Sequence, residues 1–471
     1  MNKNYPAIKL AVPANINYKT LFESLEGLNE TEKRNRKDSV YLLLSFLVPT
    51  QWYINKYESN KYFKPINSKV FNKITRNQLM SVKKILMSDN IPIILENSSY
   101  QNWKKNKSFK LREEYFHPDI KFVTIQSKIS ENYLKFKEEK NREKEILKSQ
   151  YPHLFNQYDS SISISDEAEK FVDQLEKQLL SNAYEQLFCE NSKTVLNNIT
   201  EVKIKFMRQN VKNIKEGKFD PSMSVTNHRL NSLITQMKKE LRSYLLINNN
   251  PIAEIDISGS HLYVLASILN EEFFTSTSNK FSLYNIYNEL YHDINNSIYI
   301  INKNKKFSPI PFMCGDLEKE IKTFKSLFDG NDIYENINQL VFEGKKTRDE
   351  IKDGIMNFLN QSQYRKGSKF ISEMKKHFPN INGLIEKIQR INQHKSYFAS
   401  LLQRVESYLL LQVGAKELLN QIPDLCFFTI HDAVAVENSK ARDVKAILAR
   451  TISEKTGVKI QFKVKLPNKD M

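Results

Sequence analysis

The stretch PIAEIDISGSHLYVLASIL (residues 251–269) sets one aspartate, Asp256, in an apolar, strand-like run that gives way at once to a helix-like run. Burying an unpaired carboxylate costs several kcal/mol, so a strand that ends on Asp256 implies a cation or a donor at that point. A second isolated acid lies in DLCFFTIHDAVAVEN (424–438), where two alternating runs meet at His431-Asp432. A tight turn there projects Asp432 out of a β-hairpin. KARDVKAILARTISEKTG then reads as a helix and VKIQFKVKL as a final strand of period two. Strand, long helical insertion, hairpin, helix and edge strand make a small antiparallel sheet backed by helices. That is an α+β arrangement with two acids on one sheet.

Taken singly, Asp432 is a turn residue and Asp256 an N-cap. Together, with helical basic residues between them, they form a metal pair. Two such carboxylates hold Mg²⁺ ions about 3.5–4 Å apart for in-line phosphoryl or nucleotidyl transfer. Magnesium takes few protein carboxylates and completes its shell with substrate phosphates. Mn²⁺ is the expected substitute ion.

These segments resemble the palm motifs of family A DNA polymerases and of the related single-subunit, phage-type RNA polymerases. ISGSHLYVLASIL after Asp256 is similar to their first palm motif, and FFTIHDAVAVEN to their His-Asp hairpin. Between the two, DGNDIYENINQLVFEGKKTRDEIKDGIMNFLNQ (329–361) is similar to the fingers, with Arg348 and Lys352 four apart on one helix face. FPNINGLIEKIQR and SLLQRVESYLLLQVGAKELL resemble the segments before the hairpin, and TNHRLNSLITQMKKELRSYLL the segment leading into the first motif. The resemblance spans residues 220–471, with fingers at about 271–375. It implies a right-hand palm and helical fingers. Asp256, Asp432 and the carbonyl of Ile257 would hold two Mg²⁺ ions. Arg348 and Lys352 would grip a nucleoside triphosphate, beside the turn Ser258-Gly259-Ser260. Arg229, Lys239, Arg242, Arg404, Gln412 and His431 would face a DNA or RNA primer–template.

Three positions depart from the family pattern. Asn360-Gln361 stands where a tyrosine-glycine pair is usual, with Tyr364 one helical turn later. His261 stands five residues after Asp256, where DNA polymerases carry a sugar-excluding glutamate and RNA polymerases a small residue. A bulky imidazole favours deoxynucleotides sterically, yet it also offers a ribose a hydrogen bond. Ala433 follows Asp432 where a glutamate is frequent. The implied activity is a DNA polymerase without proofreading. An RNA-synthesising primase or phage-type RNA polymerase is the alternative. A polymerase-derived binding protein for replication or defence, without synthesis, is the other.

The rest of the chain bounds this reading. Its 471 residues are enough for two or three domains, and a 40% hydrophobic content argues for real cores. A net charge of +17 points to polyanions, nucleic acid first, although a lysine-rich composition throughout would give the same number. Cys189, Cys314 and Cys426 lie far apart with no zinc or disulfide spacing, which fits a cytoplasmic protein. No apolar run is long enough for a membrane span, and the N-terminus is not expected to act as a secretory signal. Glycine is scarce and no P-loop or dinucleotide fingerprint occurs.

Residues 1–115 read as a helical module containing a winged-helix-like part. VYLLLSFLVPT and NQLMSVKKILMSDN are its helices, and IPIILEN and KSFKLREEY are strands flanking the loop SSYQNWKKNK. Tyr100, Trp103, Lys104, Lys105 and Lys107 in that loop fit either nucleic-acid contact or an ordinary solvated turn. Residues 116–200 read as a helical connector or thumb-like region. Ser165 or Asp166 is the expected N-cap of its second long helix. Residues 201–471 read as palm and fingers.

Overall fold

The computed structural model describes residues 5–48, 63–97, 107–115, 119–186, 190–224, 227–291, 315–330, 332–359, 368–391 and 397–466. The chain forms two compact units, and they interleave along the sequence rather than following as sequential blocks. The first comprises Met1–Gln150, Ile164–Lys218 and Gln236–Tyr244; the second comprises Tyr151–Ser163, Phe219–Thr235 and Leu245–Met471. Sequence blocks miss this because long-range packing, not composition, assigns Ile164–Lys218 to the first unit.

In the first unit, helix α1 (Glu30–Leu47) is followed by strand β1 (Lys64–Ile66), helices α2 (Ser68–Thr75) and α3 (Leu79–Leu86), and strands β2 (Ile94–Glu96) and β3 (Lys107–Leu111). The three strands form an antiparallel sheet in the order β1-β3-β2. Leu79, Val82, Ile85 and Leu86 face inward at helical spacing and join Leu43, Leu47, Phe71, Ile74, Phe109 and Leu111 in one core. Most of the loop SSYQNWKKNK lies outside the described residues. Farther on, the mixed-charge run 128–150 is one largely solvent-facing helix. The Oγ of Ser165 accepts from Glu167 N (3.3 Å) at the start of the helix Glu167–Gln186.

The second unit is built on an antiparallel sheet. The elements that build its site include β4 (Leu245–Ile247), β5 (Asn250–Ile257), α4 (Ser260–Ile268), α5 (Ile333–Phe342), α6 (Arg348–Leu359), α7 (Tyr397–Ser407), β6 (Phe427–Ile430), β7 (Ala433–Glu437), α8 (Ala441–Thr456) and β8 (Phe462–Lys465). The strands run in the order β6-β7-β5-β4, and β8 pairs with the C-terminal half of β5 on the side that β4 takes earlier. Asp256 pairs with Ala433 on one side and Lys463 on the other; Ile255 pairs with Val434 and Val464. Strand alternation therefore sorts the two faces. One carries Glu254, Asp256, Ala433, Ala435, Lys463 and Lys465. The other carries Ile255, Val434 and Val436, and α8 packs against the sheet with Val444, Ile447, Leu448 and Ile452 buried.

The helical segment SLLQRVESYLLLQVGAKELL changes register midway. After α7 the segment Tyr408–Gly414 is a π-helix, and an α-helix resumes at Ala415–Gln421. Gly414 lies so near α8 that an added Cβ would stand 2.7 Å from a Leu448 methyl. Close packing, invisible to periodicity, accompanies the bulge. Among the described residues no helix is long and apolar enough to cross a membrane.

Candidate functional site

Asp256 lies near the end of β5, and Asp432 is the second residue of the two-residue turn joining β6 to β7. Ile430 and Ala433 form the last pair before that turn, and His431 takes a left-handed φ of 57°. A left-handed residue at the first turn position matches the right-handed twist of a hairpin. Because Asp256 pairs with Ala433, the two carboxylates sit one residue apart in register on neighbouring strands. The Ile257 amide donates to the Asp432 carbonyl at 3.4 Å, which joins the two strand ends.

Beyond Ile257 the chain turns through Ser258 and Gly259 into α4. Gly259 has φ 63°, and a Cβ there would meet the Ile333 side chain at 2.8 Å. Only glycine permits this turn against the start of α5. Asp332 caps α5 by accepting from Tyr334 N at 2.9 Å. The α5–α6 loop is fixed by buried Asn338, which donates to the Lys346 carbonyl (2.7 Å) and accepts its amide (3.2 Å). Thr347 and Glu350 form a capping box at the start of α6. Ile351, Ile355, Phe358 and Leu359 point inward, which leaves Arg348 and Lys352 on the outer face.

Together these elements line a cleft of about 530 Å³. Its walls include Arg229, Asp256, Ile257, Ser258, Gly259, His261, Tyr334, Arg348, Lys352, Asp432, Lys463 and Lys465. Five cationic side chains thus face two carboxylates. Burial pushes the Asp256 carboxyl above its ordinary range. A hydrogen bond from Lys465 opposes this, the neighbouring charge of Asp432 reinforces it, and Lys352 opposes it again. Asp332 is also partly buried, but hydrogen bonds from Lys463 (3.0 Å) and Arg348 (2.9 Å) hold its carboxyl below the usual range. The Arg348 guanidinium lies 4.9 Å from the Tyr334 ring centre. Burial raises the Tyr334 hydroxyl, and the charges of Asp332, Asp432 and Asp256 add to the effect while Arg348 opposes it.

On the floor, Arg229 pairs with Glu406 of α7, a carboxylate only 1% exposed. His261 Nε2 lies 3.9 Å from the other oxygen of Glu406. Among the described residues, Ser258 Oγ, His261 Nε2 and Glu406 Oε1 are buried atoms with no hydrogen-bond partner.

The side chains of Asp256 and Asp432 offer carboxylate oxygens, a hard donor set without His or Cys. Among the described residues no group of three or more acidic, His or Cys side chains forms a metal nest. An ion here needs oxygens from water or substrate, which is how magnesium is commonly held. The raised Asp256 carboxyl, buried beside a like charge, is the imbalance such a cation relieves. The residues therefore fit Mg²⁺.

Of the other expected residues, His431 is exposed at the hairpin tip, and Arg404 is half-buried near His228. Gln412 is buried in the π-helical segment and does not line the cleft. Lys239 and Arg242 belong to the first unit. Asn360 and Tyr364 lie outside the described residues. Sequence reading missed Asp332, Glu406, Lys463 and Lys465. The lysines had a signal: period two in FKVK puts both on one face, in register with Glu254 and Asp256. Glu406 had a weaker one, an acid on the buried side of an amphipathic helix.

No family model matches the chain. No curated protein matches it either. Among solved structures it is similar to the POL domain of Pol1 from M. smegmatis in complex with DNA primer-template and dNTP, at 10% identity and a TM-score of 0.35, over 66% of this chain and 67% of that one.

Proposed function

We propose that the second unit is a template-directed nucleotidyltransferase that extends a DNA primer with deoxynucleoside triphosphates. The observation that carries this is the convergence of a strand-borne and a turn-borne carboxylate, Asp256 and Asp432, with Arg348 and Lys352 in one cleft. Charge arithmetic supports it. The five lining cations are balanced by Asp256, Asp432, Asp332 and Glu406, a net of about +1. Two divalent ions and a triphosphate of about −4 restore a similar balance, whereas either alone leaves the cleft strongly charged.

In this reading Asp256, Asp432 and the Ile257 carbonyl hold Mg²⁺, or Mn²⁺ in its place. Bound there, the ions lower the cost of ionising the primer 3′-hydroxyl and neutralise the leaving pyrophosphate. The 3′-oxygen bonds to the α-phosphorus as the bond to pyrophosphate breaks, and the hydroxyl proton leaves to solvent. Arg348 exchanges Asp332 for phosphate, and with Lys352 it binds the triphosphate along one helix face. The Ser258-Gly259-Ser260 turn admits the triphosphate close to the backbone. His261, backed by Glu406, borders the sugar. Tyr364 or Asn360 would meet the nascent base pair, while Arg229 and Arg404 would meet the primer–template. Lys239, Arg242 and His431 are further candidate contacts.

Primer extension in Mg²⁺ tests the reading, with deoxynucleotides and ribonucleotides compared for wild type and His261→Gly. Extension lost in Asp256→Ala and Asp432→Ala supports it. Wild type as inactive as both variants sinks it, and preferential use of ribonucleotides turns it into an RNA polymerase.

A further inference from the structure

The first unit carries a surface that nucleotidyl transfer leaves unused. Helices α2 and α3 are joined by the three residues Arg76, Asn77 and Gln78, of which Arg76 (φ 56°) and Asn77 (φ 64°) are left-handed. Asn72 locks the turn: its side-chain oxygen accepts from Leu79 N (3.2 Å) and its carbonyl from Asn77 N (2.9 Å). Asn67 caps α2 through bonds from Lys69 N and Val70 N. This is a helix-turn-helix. With α1 before it and the sheet β1-β3-β2 around it, the element order among the described residues is helix, strand, helix, helix, strand, strand.

Only one side of α3 is used in the core. The opposite side carries Met80 (57% exposed), Lys84 and Met87 (37% exposed) at positions i, i+4 and i+7, a single stripe along the helix. Exposed Arg76 stands at the N-terminal end of this stripe. Lys83 is engaged differently: it pairs with Glu96 on β2 and covers the Phe109 ring. Residues 67–90 hold five Lys or Arg and one acid, Asp89. The wider segment 30–115 holds 17 Lys or Arg against 8 Asp or Glu. Two methionines on a solvent face make a poor surface for a purely solvated helix. They suit a face that meets base edges and thymine methyls while Arg76 and Lys84 meet phosphates.

We propose that α3 is a recognition helix for duplex DNA, seated in the major groove. The B-form groove, about 12 Å wide, admits a helix with its side chains. The deep, narrow major groove of A-form RNA does not. The partner is therefore double-stranded DNA. This site is separate from the cleft of the second unit, and it stands whether or not that cleft transfers nucleotides.

The test uses the full chain and fluorescence anisotropy on a blunt, unprimed 24-base-pair DNA duplex, the matching duplex RNA and the matching single strand, across a salt series. The Arg76→Gln/Lys84→Gln variant should lose about tenfold in duplex DNA affinity. Its salt dependence should flatten by about two phosphate contacts. Arg76→Lys/Lys84→Arg should retain wild-type binding, and Met80→Glu should weaken it by a different route. Arg76, Met80 and Lys84 are all exposed, and a thermal melt checks each fold. Lys416→Gln/Lys445→Gln, at two exposed lysines of the second unit, should leave duplex binding unchanged. Wild-type binding by Arg76→Gln/Lys84→Gln, or an equal loss in Lys416→Gln/Lys445→Gln, overturns the proposal. Equal binding of duplex RNA or preference for single strands overturns it too.

Discussion

The two walls of the cleft are made differently. Asp256 and Asp432 are half-buried, fixed by strand register and by a two-residue turn, and each has backbone neighbours on a five-stranded part of the sheet. Arg348 and Lys352 are exposed, on the first turns of a helix that side-chain bonds through Asp332 tie to the sheet. One wall holds charge at a fixed position in a partly desolvated place. The other presents long, exposed cations. A metal site needs the first kind of support and a triphosphate clamp tolerates the second.

This contrast predicts a steep difference in mutational cost. Asp256→Asn or Asp432→Asn should slow single-nucleotide incorporation at least a thousandfold, the several kcal/mol that metal-held charge stabilisation supplies. Thermal stability should hold or rise, because each variant relieves a like-charge contact. A large drop in melting temperature would instead mean that the pair is structural. Arg348→Ala and Lys352→Ala should cost about a hundredfold each, mostly as a higher apparent KM for the nucleotide. Equal losses on both walls would erase the distinction.

Gly354 gives a subtler way to separate the walls. A Cβ there would stand 2.4 Å from the Phe370 ring, so Gly354→Ala must shift α6 or the helix beside it. Overpacking of this kind costs about 1–3 kcal/mol, readable in urea denaturation. Nucleotide KM should rise as Arg348 and Lys352 move, while the Mg²⁺ concentration for half-maximal rate stays put. A shift in Mg²⁺ dependence would show that the walls are mechanically coupled.

The legible part of this site was the part encoded locally. Alternation in FFTIHDAVAVEN placed Asp432 at a turn, and the four-residue spacing of Arg348 and Lys352 put them on one face. The counter-ions were not legible, because they come from distant segments. Lys465 reaches Asp256 across 209 positions, Arg229 reaches Glu406 across 177, and only strand register and helix packing bring them together. Gln412 shows the opposite failure. The resemblance put it at a primer–template, and the structure has it buried in the π-helical segment. In the first unit, helical spacing marked α1 and α3 and alternation marked β2 and β3, whereas α2 and the three-residue β1 were not read.

Burial sets a charge state elsewhere in the second unit as well. Desolvation, aided by the charge of Arg404, lowers the His228 imidazole to about 3. The unfolded chain takes up that proton near pH 6.5 and the folded chain does not until about pH 3. The stability from a neutral His228 is therefore complete above pH 6.5 and is lost as pH falls toward 3. Between pH 7 and pH 5 the loss should be about 2 kcal/mol. Urea denaturation at the two pH values should show a smaller difference for His228→Gln; identical slopes would contradict the assignment.

The central claim is that Asp256 and Asp432 together support nucleotide addition at a primer end. Rapid-quench incorporation of one complementary deoxynucleotide into a primed DNA template, in Mg²⁺, tests it most directly. The account predicts a primer one nucleotide longer with wild type, at least a thousandfold slower with Asp256→Asn or Asp432→Asn, both variants remaining folded. An unextended primer with folded wild type, or an undiminished rate with either variant, would contradict it.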